Sequence, residues 1–193
     1  MDKREHLVQV AFDLFYREGV HAVGINRILT ESGVAKKTLY NHFASKDELV
    51  AATLSYRDQR FLNWLGERMV TGQAGIDALK AMFDALHDWF NGEDAGQPQF
   101  NGCYFINLSA EYGDAEHPLH QQCSAHKRAV QALMRQHLSA WVESGVLDQL
   151  VDALAILKEG AIVQAHVTGD KNAALKAWAI AEPLLQAHVR RED

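Results

Sequence analysis

Between Asp2 and Glu18 the apolar residues Leu7, Val8, Ala11, Phe12, Leu14 and Phe15 fall at the i, i+3, i+4, i+7 spacing of a helix with one buried face. Gly19 is a natural stop, because glycine enters the left-handed region cheaply. A shorter helix is marked by Ile25, Ile28 and Leu29 and ends at Ser32-Gly33, and a third runs from about Ala35 to His42. Ser45 stands three residues before Glu48, the spacing of a capping box, so a long fourth helix is predicted from there. Its apolar positions include Leu49, Val50, Leu54, Phe61, Leu62 and Leu65, and a break near Thr71-Gly72 separates it from a helix over Ile76 to Phe90. The stretch NGEDAGQPQFNG then reads as a loop. Beyond it the pattern supports further helices and no strand, giving an all-α chain of about nine helices.

Two later segments are apolar almost all round. In QLVDALAILKEGAIVQAHVTG the charges are confined to Asp152, Lys158 and Glu159, so the helix must be covered from more than one side. NAALKAWAIAEPLLQAHV is rich in alanine, which permits close helix approach, and Pro183 is expected to kink or split it near Glu182. With their symmetry mates these two helices would build a four-helix interface, with Ala161 and Ala165 as candidate contact positions.

Composition adds limits. The 193 residues are 48% hydrophobic and 23% charged, enough for a real core. Only three prolines occur, Pro98, Pro118 and Pro183, so the first half of the chain is free of helix breakers. Two cysteines, Cys103 and Cys123, do not make a disulfide framework, and no apolar run approaches the roughly 20 residues of a membrane span. A cytoplasmic protein without membrane contact is the expectation. The net charge of −6 argues against nucleic acid until its distribution is considered. From Gly24 to Lys46 there are four bases, Arg27, Lys36, Lys37 and Lys46, against one acid, Glu31.

That basic stretch coincides with two short helices joined by a glycine turn, a helix-turn-helix. Ile25, Ile28, Leu29, Val34 and Leu39 would pack the pair on the first helix, and Phe43 would close the base. Lys36, Lys37, Thr38, Tyr40, Asn41 and His42 are left around the outside of the third helix. Lysines neutralise phosphates, and asparagine can pair with adenine by two hydrogen bonds in the major groove. Lys46 lies at a helix N-terminus, where backbone amides already attract anions.

The segment GVHAVGINRILTESGVAKKTLYNHFASKDEL closely resembles the N-terminal signature of TetR-family transcriptional repressors, through Gly19, Gly33-Val34, Thr38-Leu39-Tyr40, His42-Phe43 and Lys46 to Leu49. The resemblance implies a homodimer with a three-helix DNA-binding domain at residues 1–48 and a helical effector-binding and dimerisation domain at 49–193. The implied partners are a double-stranded palindromic operator and a small-molecule effector that releases it. Tyr40 and Lys46 match positions that grip phosphate, and the DNA-facing set becomes Gly24, Arg27, Lys36, Lys37, Thr38, Tyr40, Asn41, His42 and Lys46. Gly24 and Ala35 stand where the family often has Ser or Thr, which removes a capping hydroxyl at each helix start.

The C-terminal part carries less chemistry that can be read directly. Candidate effector-lining residues are Trp64, Trp89, Phe100, Cys103, Tyr104, Asn107, Glu111, His126 and Trp141, an aromatic set with a few polar groups. Cys103, at the start of a helix, reads either as a buried small hydrophobe or as a thiol whose thiolate is stabilised by helix amides. His120, Cys123 and His126 recur at steps of three, but on one straight helix the two histidines are about 240° apart and cannot share a metal. No cofactor, metal or catalytic residue is expected. The alternative reading is an enzyme using Cys103 as nucleophile, which would need a histidine beside it.

Overall fold

Apolar residues at helical spacing, with no proline before Pro98, give nine α-helices among the described residues of the computed structural model, 2–71 and 74–190. They are α1 (Lys3–Glu18), α2 (Ile25–Ser32), α3 (Lys36–His42), α4 (Lys46–Thr71), α5 (Ile76–Asn91), α6 (Tyr104–Glu111), α7 (Pro118–Leu138), α8 (Leu147–Val163) and α9 (Ala173–Gln186). A π-helical turn, Gln164–Thr168, prolongs α8. No strand occurs among the described residues, where one antiparallel bridge pairs Val142 with Val189. The fold is all-α. Helix α4 ends at Thr71, and Gly72, the other half of the expected break, lies outside the described residues.

The chain divides into two compact units, Met1–Phe61 with Cys103–Lys127, and Leu62–Gly102 with Arg128–Asp193. In the first, Leu7, Ala11, Leu14 and Phe15 of α1 are buried together with Ile28, Leu39, Phe43, Leu49, Val50 and Leu54. Helix α6 is part of this core. The Tyr104 ring meets Phe12 edge-on at 5.1 Å, and its hydroxyl bonds Thr53 Oγ1 at 2.8 Å. Burial pushes the Tyr104 hydroxyl above its ordinary pKa, so it stays a neutral structural group. Arg57 is also buried, its guanidinium 5.2 Å from the Phe61 ring centroid. Burial lowers its pKa.

In the second unit α5 and α8 both pack against α9. Small residues make that approach possible: Ala173, Ala174, Ala177 and Ala181 are all buried. Helix α8 buries Leu150, Val151, Leu154 and Ile162, while its Ile156 and Val163 are exposed, as are Val167 of the π-helical turn and Ile180 and Leu184 of α9. Ala161 and Ala165, the expected interface positions, are instead buried within their own subunit. Lys158 is buried too, with its ammonium on Glu159 Oε1 at 2.6 Å, so this lysine does not belong to a solvated stripe.

Pro183 does not split α9, which continues to Gln186. Proline removes one N–H, so the carbonyl of Ala179 loses its helical partner. Both residues are exposed, and water can take that bond.

Candidate nucleic-acid interface

The helix-turn-helix is built by a buried apolar seam and a left-handed turn. Gly33 has φ +66° and ψ 12°, and its N–H bonds Leu29 O at 3.0 Å, which ends α2 and redirects the chain. His6 Nε2 of α1 lies 3.0 Å from Ser32 O, tying that end to the first helix. Of the seven residues in α3, only Leu39 is fully buried. Lys36, Lys37, Tyr40 and Asn41 are exposed, and Thr38 and His42 are half-buried. Four polar or charged side chains therefore project from one short, well-anchored helix.

Neither Gly24 nor Ala35, the N-caps of α2 and α3, gives a side-chain cap hydrogen bond. Arg27 is engaged in two exposed ion pairs, with Glu18 at 3.7 Å and Glu31 at 3.6 Å. Such pairs hold a side chain weakly, so Arg27 can be recruited by a phosphate at little cost.

The start of α4 is firmer. Ser45 Oγ accepts the Glu48 N–H at 3.1 Å, while Glu48 Oε2 accepts the Ala44 N–H at 2.6 Å. The return bond of the capping box thus lands one residue before the cap. Lys46 opens the helix, and its Nζ donates to Val20 O at 2.6 Å while lying 5.8 Å from the Phe15 ring centroid. An ammonium has three donors, and the bond to Val20 leaves others for an anion.

The nine candidate effector residues are divided between the two units. Trp64, Trp89 and Phe100 belong to the second unit and form one aromatic cluster. Trp64 and Trp89 are 6.1 Å apart, and Trp89 and Phe100 5.0 Å. The indoles are fixed by bonds from Trp64 Nε1 to Asp94 Oδ2 at 2.7 Å and from Trp89 Nε1 to Pro98 O at 2.9 Å. Trp141, also in the second unit, packs on Gly75, where an added Cβ would sit 2.5 Å from the indole.

Cys103, Tyr104, Asn107, Glu111 and His126 belong to the first unit. His126 stacks on Phe105 with centroids 3.6 Å apart, and its Nδ1 is 2.6 Å from Asp58 Oδ1. Burial lifts the Asp58 carboxyl above its ordinary value. Cys103 is buried at the N-cap of α6, and Lys127 Nζ donates to its Sγ at 3.3 Å. The half-buried Asn107 donates its backbone N–H to Cys103 O at 2.9 Å. Tyr104 is consumed by the core, as described above. The Glu111 carboxylate accepts the Val20 and His21 amides at 2.7 and 2.6 Å. No spacing in the sequence signals a bond across 90 residues.

The histidine series on α7 also separates. His120 Nδ1 lies 2.8 Å from Tyr112 O, whereas His126 turns to Asp58. Among the described residues, no group of three or more His, Cys, Asp and Glu side chains is placed to hold a metal ion. Cys123 is buried, and burial pushes its thiol up to about 12.

Two family models match the chain. Bacterial regulatory proteins of the tetR family match residues 7–53, and the tetracyclin repressor-like C-terminal domain matches residues 75–181. The Bacillus subtilis HTH-type transcriptional regulator YxaF is 25% identical over 175 residues, covering 88% of each chain. The Mycolicibacterium smegmatis transcriptional activator FasR is 30% identical over 95 residues, 49% of this chain and 43% of FasR, so the chain spans less than half of that relative. Among solved structures, SCO4454 of Streptomyces coelicolor, a TetR-family transcriptional regulator, superimposes with a TM-score of 0.86 at 29% identity, covering 97% of this chain and 90% of the other. The reduced form of Escherichia coli NemR gives 0.82 at 25% identity, covering 95% and 98%.

Proposed function

This chain belongs to the tetR family of bacterial transcriptional regulators, and from that premise we propose that it is a homodimeric repressor that a small-molecule effector releases from a palindromic operator. The observation that carries the reading is α3: one buried leucine fixes it, and Lys36, Lys37, Tyr40 and Asn41 are free of the core. Two such helices in a symmetric dimer fit two half-sites in successive major grooves. Lys46 and Tyr40 hold phosphates and set register, while Lys37 and Asn41 reach base edges.

Dimerisation is supported by the outward apolar residues Ile156, Val163, Val167, Ile180 and Leu184 on two helices that pack together. No described helix is long and apolar enough to cross a membrane. A regulator of this kind works on cytoplasmic DNA. Effector binding favours a dimer geometry in which the recognition helices no longer match the grooves, a shift between two populations. The aromatic cluster of Trp64, Trp89 and Phe100, and Cys103 with Lys127, are the groups proposed to meet the effector.

Selection of a randomised duplex library by the purified protein tests the reading. The expected product is a near-palindrome bound by a dimer. A protein with no preference among duplexes at low salt would refute it.

A further inference from the structure

One peptide unit between α1 and α2 is held from both sides by opposite charges. The Val20 carbonyl accepts Lys46 Nζ at 2.6 Å, and the His21 N–H of the same unit donates to Glu111 Oε2 at 2.6 Å. The other carboxylate oxygen, Oε1, accepts the Val20 N–H at 2.7 Å. Glu111 is the last residue of α6, and Lys46 is the first of α4. A cation, a peptide dipole and an anion are thus in line, an arrangement in which each hydrogen bond polarises the next.

The surroundings are shaped for this contact. Gly19 has φ +87°, which other residues rarely adopt, and a Cβ there would lie 3.4 Å from Glu111 Oε1. Val20 and Val23 are buried and anchor the turn. His21 Nδ1 lies 3.3 Å from Glu111 Oε2, and its ring is 5.0 Å from that of Tyr112, the residue after Glu111. The Tyr112 hydroxyl donates to Asp47 Oδ1 at 3.1 Å, adding a second tie from the end of α6 to the first turn of α4.

We propose that Glu111 is a positioning residue for operator binding, which acts through the Val20–His21 peptide to aim the Lys46 ammonium at a DNA phosphate. This rests on the assignment of Lys46 as a phosphate contact. Helix α6 then senses and sets that contact: if its C-terminus withdraws, the peptide is free to rotate and Lys46 loses its fixed direction. The helix has eight residues, about 12 Å, and its other end carries Cys103 and the Lys127 contact.

The sign of one substitution separates this from bulk electrostatics. Removing a carboxylate beside a DNA-binding face should strengthen binding if Glu111 only repels phosphate. Positioning requires the opposite. Affinities are measured for the tightest duplex recovered from the library, using the wild type, Glu111→Gln, Lys46→Ala and the double variant, each checked for a folded dimer. The expected result is a loss of about fivefold to twentyfold for Glu111→Gln with Lys46 present, and a loss below about twofold when Lys46 is already alanine. Unchanged or tighter binding by Glu111→Gln overturns the proposal, and so does an equal loss in both backgrounds, which would mean a general structural role. Glu111→Asp keeps the charge but is too short to hold both amides, and it carries the same cycle if the glutamine variant does not fold. A wild type that binds no duplex would refute the DNA-binding reading itself and the proposal with it; binding that is normal in the wild type and insensitive to Glu111 refutes the proposal alone.

Discussion

Ile156 of α8 is 73% exposed in the single chain, and its neighbour on the same face seven residues later, Val163, is 43% exposed. If this face is the subunit interface, Ile156→Asp should dissociate the dimer. Burying a whole isoleucine side chain is worth roughly 2 kcal/mol, so covering the exposed part of Ile156 contributes about 1.5 kcal/mol. A twofold axis presents the residue twice, giving about 3 kcal/mol, or roughly a hundredfold in dimer Kd, for removal of the apolar surface alone. The aspartate must also be desolvated, which raises the loss further. Sedimentation equilibrium across nanomolar to micromolar protein would show a dimer for the wild type and a 21.6 kDa monomer for the variant. Ala161→Asp is the control. Ala161 is 4% exposed within its own subunit, so its substitution should lower Tm, with dissociation following from unfolding. A folded Ile156→Asp protein with an unchanged dimer Kd would refute the placement of the interface.

Lys46→Ala should weaken binding to every duplex about equally and make the log–log salt dependence shallower by roughly one to two units per dimer, whereas Asn41→Ala should change the preferred bases; competition over the library measures both. Thiol alkylation followed by mass spectrometry should leave Cys123 unmodified in the native protein up to about pH 9, because its thiolate is scarce until the pH nears about 12, and modification of Cys123 at neutral pH would contradict its burial. Gly33→Ala should cost about 1 kcal/mol, since the residue has φ +66° but open space for a Cβ. Gly75→Ala should cost more, because φ is +80° and the Cβ would collide with Trp141; thermal melts that rank the two the other way would refute this.

Much of the fold was legible because local rules govern it. The pattern Leu7 to Phe15 defines the buried face of α1, Ser45 with Glu48 marks the start of α4, and Gly33 turns the chain between α2 and α3. The exposure of the candidate DNA-facing residues on α3 was legible for the same reason, since a seven-residue helix with one buried position leaves its polar side chains outside. What escaped was set by contacts distant in sequence. Glu111 reads as one polar residue among several until α6 brings it to the Val20 amide, 91 residues away. Lys158 reads as one of three charges on an otherwise apolar helix, and nothing local to it signals that its side chain is buried. Trp141 reads as one aromatic among several, and nothing in the sequence signals that it lies against Gly75.

The distribution of burial in α3 has an evolutionary consequence. Leu39 ties the helix to the core, while Lys36, Lys37, Tyr40 and Asn41 are exposed. Surface changes of this kind alter stability by roughly half a kcal/mol or less. On the proposed reading, sequence choice by the protein and its thermodynamic survival are therefore assigned to different residues. After gene duplication, a copy can drift towards a new target by single substitutions on this face while every intermediate remains folded. Substitution at Leu39 opens no such route, because the helix that does the reading is lost before a new preference is gained.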